Sequence, residues 1–305
     1  MNSVVTLNPE LATFSRIIVL AALTVYSFAF LVLAAGLTQR AGSKKKKEDR
    51  ISNTLDTIGI SLMTFGVLLH GVGVVTRGIA AQRVPWANMY EFSITGSFIV
   101  TAIYLLALIW KDLKFISTFV SGFVVLIIGS ANTLFYVQVE SLLPALQDYW
   151  LVIHVSVAIL ATAFFMIAAA MAGILIMKES KFIQTTKLPG ANWFRGILKV
   201  FPKVDKLERT SYQFNIIGFI LWSFTLIAGA IWADKAWHRF WGWDTKEVWT
   251  FIIWTIYAAY LHATTTRGWE GKRAAWLTLI GFTAILFNFT IVNLYFKGLH
   301  VYSGL

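Results

Sequence analysis

Apolar runs of membrane-spanning length recur at about 12–37, 53–75, 90–110, 115–137, 150–177, 211–232, 248–266 and 275–296, and no other feature constrains the fold as tightly. A helix needs about 20 residues to cross the hydrocarbon core, and only a helix or a closed barrel satisfies its own backbone there. The sequence therefore predicts an all-α, polytopic integral membrane protein of about eight transmembrane helices, with residues 1–305 as one membrane domain. At 57% apolar and 13% charged residues, it shows no soluble domain. The first run, Leu11 to Leu37, is longer than a signal-peptide core and lacks a small-residue cleavage site, so it counts as a helix.

Charge sets the expected orientation. The connection 38–52 carries Arg40, Lys44, Lys45, Lys46, Lys47 and Arg50, and 178–210 carries Lys178, Lys181, Lys187, Arg195, Lys199, Lys203, Lys206 and Arg209. With Lys111, Lys114, Arg267, Lys272 and Arg273 they fall on alternate connections, which the positive-inside rule makes cytoplasmic. Both termini, the loops 76–89 and 138–149, and a loop at about 233–247 are then extracytoplasmic. The net charge of +11 reads as orientation and not as nucleic-acid binding; the lysines at 44–47 have contact with anionic membrane lipid as a second reading. Pro189-Gly190 and Pro202 break the long loop 178–210, leaving room for a short surface helix at Trp193 to Val200. The chain has no cysteine, so any thiol chemistry comes from a partner.

Between Trp232 and His262 the chain places Trp232, Trp237, Trp241, Trp243, Trp249 and Trp254, with Phe240 among them. Indole joins a large apolar ring to one N–H donor, which suits a membrane boundary. One reading is an ordinary aromatic belt. The density in one short connection favours a platform for a flat, largely apolar ligand with a polar edge. Two outward connections end alike, in Asn88-Met89-Tyr90-Glu91 and Asp244-Thr245-Lys246-Glu247. That spacing suits reciprocal helix capping; alternatively, the two helix starts aim free N–H groups at an anionic ligand edge, beside Arg77, Arg83, Lys235 and Arg239.

Of the five histidines, His154 lies one turn after Trp150 and His300 follows the last helix, both on the platform's side. Neutral imidazoles from two segments can ligate haem iron from opposite faces. His262 sits roughly 22 Å along the seventh helix at 1.5 Å per residue, where an ionisable group is a functional candidate. His70 lies within a helix beside Gly71 and Gly73, and His238 within the platform.

With these residues placed, the sequence resembles the CcsA (ResC-type) cytochrome c biogenesis proteins, the haem-handling subunit of the bacterial and chloroplast cytochrome c synthase. The WWD signature is carried by Trp232-Ala233, Ala236-Trp237, Trp241-Gly242-Trp243-Asp244, Lys246-Glu247 and Trp249, and continues through Trp254, Tyr260-Leu261-His262 and Arg267-Gly268. Further matches are Thr76-Arg77, Pro85, Asn88, Tyr90-Glu91, Pro144-Ala145-Leu146-Gln147, Trp150, His154-Val155-Ser156, Val292-Asn293, Gly298-Leu299-His300 and Tyr302. The signature segment is 232–262.

The resemblance implies that His154 and His300 are outer ligands of haem iron and that His262 ligates at a site within the membrane. It implies a haem-contacting set of Trp237, Trp241, Trp243, Asp244, Glu247, Trp249, Arg77, Asn88 and Glu91, with no residue acting as catalytic acid or base. Haem b is then the substrate, presented for thioether formation with the CXXCH thiols of apocytochrome c by a holocytochrome c synthase component acting with a CcsB (ResB-type) subunit. A thiol-reducing protein of the outer face completes the expected partners, in a bacterial plasma membrane or, alternatively, a thylakoid. Two rival functions are a haem exporter without ligase activity and a b-type electron-transfer cytochrome. Thr245 stands where the family usually has Pro, His238 where it has a small or polar residue, and His70 matches nothing. The second ligand of the inner site is open between His70 and a partner residue.

Overall fold

The computed structural model describes residues 7–42, 46–140, 147–266, 268–296 and 298–299, with the backbone alone for 46–49. The regular structure among them is helical: α1 (Pro9–Gly42), α2 (Lys46–Ala81), α3 (Met89–Trp110), a single 3-10 turn (Lys114–Ile116), α4 (Ser117–Leu134), α5 (Tyr149–Lys178), α6 (Lys181–Thr185), α7 (Ala191–Val200), α8 (Val204–Trp237), α9 (Thr245–Thr266), α10 (Lys272–Phe289) and α11 (Ile291–Tyr295). Six of the expected apolar runs lie each in one helix, while 115–137 starts in the 3-10 turn and outlasts α4, and 275–296 is broken at Thr290 into α10 and α11; the surface helix expected at 193–200 is α7. Seven helical segments among the described residues are long and apolar enough to span a membrane. The eighth expected span, α9, has 22 residues but carries Lys246, Glu247, His262 and a scatter of threonines, so length alone qualifies it.

Several helices outrun their apolar runs. Hydropathy reports only the part that must sit in hydrocarbon, whereas the helical hydrogen-bond ladder continues wherever a polar turn still has something to pack on. At the start of α8, Leu207 is buried in the core, and at the joined ends of α1 and α2 Arg40 pairs with Asp56. The amphipathic α7 buries Ile197 and Leu198, and Gly196 lets it approach the Ala41 carbonyl of α1.

Two antiparallel hairpins, α1/α2 and α5/α8, form the frame. In the first, Gly59, Gly66 and Gly73 recur every seven residues on α2 and receive Leu33, Tyr26 and Val19, spaced identically on α1. This is a heptad seam in which the absent side chains let the backbones close. In the second, Gly218 faces Phe165 and Gly229 faces His154, the same three-turn step on both helices. Helix α5 is the most enclosed span; α3 and α10 pack against it and join the two halves.

The α1/α2 seam makes a direct prediction. A Cβ on Gly66 would lie 2.8 Å from the Tyr26 ring, and Tyr26 is fully buried. Gly66→Val is expected to cost about 1–3 kcal/mol, seen as a lower melting temperature of the purified protein. Gly129→Ala, where an added Cβ meets nothing within 4 Å, should not lower it.

Candidate functional site

A cavity of about 250 Å³ lies among α3, α5, α8, α9 and α10. It exists because the helices facing it carry short side chains there: Ser93, Gly96 and Ser97 on α3, Ala158 on α5, Gly229 and Ala230 on α8. A Cβ on Gly96 would meet no atom within 4 Å. The remaining wall mixes aliphatic and aromatic side chains. Phe92 and Phe289 stack at 5.0 Å, and the Trp222 indole N–H donates to the Thr250 carbonyl at 3.1 Å, which fixes its ring plane. Trp86 completes this side, while Phe240 and Trp241, both exposed, mark the mouth.

His154 reaches the cavity from the first turns of α5. Its Nδ1 lies 2.9 Å from the Thr225 carbonyl of α8. A carbonyl oxygen only accepts, so Nδ1 carries the proton and the lone pair resides on Nε2. The ring is held on two further sides: Trp232 lies nearly parallel to it, with centroids 6.1 Å apart, and Gly229 abuts it so closely that a Cβ would stand 2.7 Å from Cε1. An imidazole with a set tautomer and set plane, facing an apolar cavity, is the arrangement a metal-ligating histidine requires.

Both expected capping boxes are made. Asn88 Oδ1 accepts from Glu91 N at 2.9 Å and Glu91 Oε2 accepts from Ala87 N at 3.1 Å. Asp244 Oδ1 accepts from Lys246 N at 3.0 Å, while Glu247 Oε2 accepts from Gly242 N at 2.7 Å and Asp244 N at 3.1 Å. Each box then does more than end a helix. Asp244 Oδ2 accepts from Leu299 N at 2.8 Å, tying the start of α9 to the segment immediately before His300. Glu91, fully buried, receives Arg77 Nε at 3.0 Å and an Arg83 guanidinium N–H at 2.5 Å. The same arginines donate to the carbonyls of Val137 and Glu140, so one carboxylate fastens the loops on either side of α3 and α4.

The residues singled out from sequence therefore separate. His154, Trp241, Asn88 and Glu247 line the cavity. Arg77 and Glu91 are engaged with each other behind it. Trp237 packs edge-on against Trp232 at 4.7 Å, which itself backs His154. Trp249 packs on Phe287 at 4.4 Å, and Trp243 is 78% exposed. The cluster divides because α8 continues through Trp237 and α9 begins at Thr245, which leaves only Trp241 and Trp243 in the connection. His238 adopts φ 57° at the end of α8, where its N–H donates to the Asp234 carbonyl; this left-handed position ends the helix and normally favours Gly or Asn.

His262 is exposed on α9, on a face shared with Thr255, Ala259 and Thr266. His70 is buried between Tyr26 of α1 and Phe98 of α3, both edge-on to it. Helix α9 packs against α8 and α10, so the described contacts do not bring His70 and His262 together. His300, Tyr302, Arg267, Pro144-Ala145-Leu146, Lys44 and Lys45 lie outside the described residues. Sequence reasoning missed Trp86, Trp222 and Lys246 as cavity residues. Trp86 was signalled by its place two residues before the Asn88 cap; Trp222 carried no signal within its helix.

Residues 86–300 match the model of the family described as cytochrome C assembly protein. Among curated proteins, the cytochrome c biogenesis protein CcsA of Prochlorococcus marinus is 38% identical over 54% of this chain and 57% of its own length. That of a Synechococcus species is 30% identical over 82% of this chain and 86% of its own, and that of Guillardia theta 35% over 75% and 80%. Among solved structures, the cytochrome c haem lyase CcmF is similar in fold, with a TM-score of 0.61 at 16% identity over 95% of this chain and 48% of that one.

Glu91 is expected to be indispensable to the fold around the cavity. Glu91→Ala leaves one buried and one partly buried guanidinium group without their carboxylate, a loss of about 3–5 kcal/mol. Membrane abundance and melting temperature should both fall, whereas Trp243→Phe, at an exposed position, should leave both unchanged.

Proposed function

The chain belongs to the cytochrome c assembly protein family and, within it, to the CcsA-type cytochrome c biogenesis proteins, and from that premise we propose that it receives haem b as substrate and presents it in the cavity for covalent attachment to apocytochrome c. The observation that carries this reading is the His154 ring in the cavity wall, its tautomer set by the Thr225 carbonyl. The cavity residues fit the group: flat apolar walls for a macrocycle, one oriented imidazole for its iron, and polar side chains at the α9 start for its polar edge.

Haem supplies the reacting vinyl groups. Each cysteine S–H of a reduced CXXCH motif adds across a vinyl C=C, sulfur to one carbon and hydrogen to the other, so nothing leaves and no external oxidant or reductant is consumed. What this chain contributes is position. His154 holds the iron from one side, the aromatic walls exclude water from the ring, and Asp244 draws in the segment that leads to His300, the proposed second ligand. No acid or base is needed from the protein, in keeping with a cavity whose one carboxylate among the described residues, Glu247, accepts two backbone N–H groups.

On this reading the cavity, both termini and the α8–α9 connection face the outer side of a bacterial plasma membrane, and the lysine- and arginine-rich connections face the cytoplasm. His262 is the entry-side ligand. Its exposure on a face of small and polar residues supports a second ligand from a CcsB-type subunit packed there, since a lone ionisable group facing lipid is costly. The thiol-reducing protein would act on the apocytochrome before it reaches the mouth.

The test separates loss of the ligand from loss of the space. His154→Ala should abolish covalent haem in a reporter cytochrome c at normal membrane abundance, with partial rescue by added imidazole. Gly96→Phe, whose side chain projects into the open cavity, should abolish it without imidazole rescue. His300→Ala should behave like His154→Ala. Normal maturation in the His154 variant would remove the reading.

A further inference from the structure

Lys246 is the one cation among the described residues that line the cavity, and its position runs against local preference. It stands in the first turn of α9, where the helix dipole disfavours positive charge. Its Nζ donates to the Asn288 carbonyl of α10 at 2.9 Å, one bond for a group with three donors. Asp244 attracts it electrostatically without forming an ion pair with it, and both neighbouring carboxylates are bonded to backbone amides. Asp244 accepts from the backbone amides of Lys246 and Leu299, and Glu247 Oε2 accepts from those of Gly242 and Asp244. Among the described residues the ion pairs are Arg40 with Asp56 and Arg77 and Arg83 with Glu91; none includes Lys246. An ammonium group in a low-dielectric cavity is stabilised by a counter-charge in contact with it, and a residue that breaks a local rule is a candidate functional position.

We propose that Lys246 binds a carboxylate substituent of the cavity's ligand, which on the haem reading above is a propionate, and so determines which edge of the macrocycle lies against the start of α9. The His154 imidazole lies on a different wall, on α5, so iron ligation alone leaves the ring free to rotate in its own plane. A cation at the α9 start removes that freedom. The carboxylate edge is then drawn toward α9 and α10, and the vinyl substituents, borne on the remainder of the ring, take a fixed direction relative to the incoming thiols. Lys246 is a positioning residue on this account, acting on substrate orientation and not on bond formation.

The experiment compares zinc protoporphyrin IX with its dimethyl ester, titrated by fluorescence into the full chain in lipid nanodiscs. Wild type should bind the free acid about tenfold or more tightly than the ester, the range of a charge-assisted hydrogen bond. Lys246→Met should bind the two alike, and Lys246→Arg should keep the preference. Equal binding of acid and ester by wild type, or an undiminished preference in Lys246→Met, would overturn the assignment while leaving the haem reading intact. Binding of neither porphyrin by wild type would overturn the haem reading and this inference with it. Should Lys246→Met fail to reach the membrane, the wild-type comparison and the Lys246→Arg titration decide alone.

Discussion

The close approach of α5 to α8 is the constraint on which the site depends. Gly218 and Gly229 remove the side chains that would hold the two helices apart, and at Gly229 the space is taken by the His154 ring. That approach brings Nδ1 within hydrogen-bonding distance of the Thr225 carbonyl, which decides the tautomer, which in turn decides where the lone pair lies. A side chain at Gly229 would displace the ring before it altered anything chemical. Packing of two apolar helices thus sets the electronic state of one imidazole.

Around this hairpin the cavity is closed by two helix starts built in the same way. At α3 and α9 an Asn or Asp caps the first turn and a Glu three residues on reaches back to the preceding loop. Backbone amides that would otherwise be orphaned are satisfied internally, so the loops bearing Trp86 and Trp241 are held in place at the cavity. The Arg77–Glu91–Arg83 cluster adds a buried cross-link behind the first of these loops, and Asp244 adds one between the second loop and the chain just before His300. Positional precision is what the proposed haem attachment asks of the chain.

The helices were legible because hydrocarbon thickness fixes how long an apolar run must be, and their polar extensions were not, because hydropathy is blind to turns such as the start of α8 that stay helical through packing. The capping pairs were legible from their three-residue spacing. The roles of Arg77 and Glu91 were not: sequence placed them near the platform and offered capping or anion binding, while their burial against each other depends on the meeting of α2 and α3. The six tryptophans read as one platform, yet only Trp241 lines the cavity, because α8 and α9 reach further into the cluster than their apolar runs. His154 was found by its place beside the platform, but its partner Thr225 lies 71 residues away and no local pattern connects them. Lys246 was passed over because the capping motif that contains it already had a sufficient explanation.

The central claim is that His154 ligates haem iron inside this cavity. A cryo-electron microscopy map of the haem-loaded protein in lipid tests it most directly. The account predicts macrocycle density between the walls formed by α3, α5 and α10, with the iron at bonding distance from His154 Nε2. Haem density elsewhere in the bundle, or in the cavity with its iron turned away from His154, would contradict it.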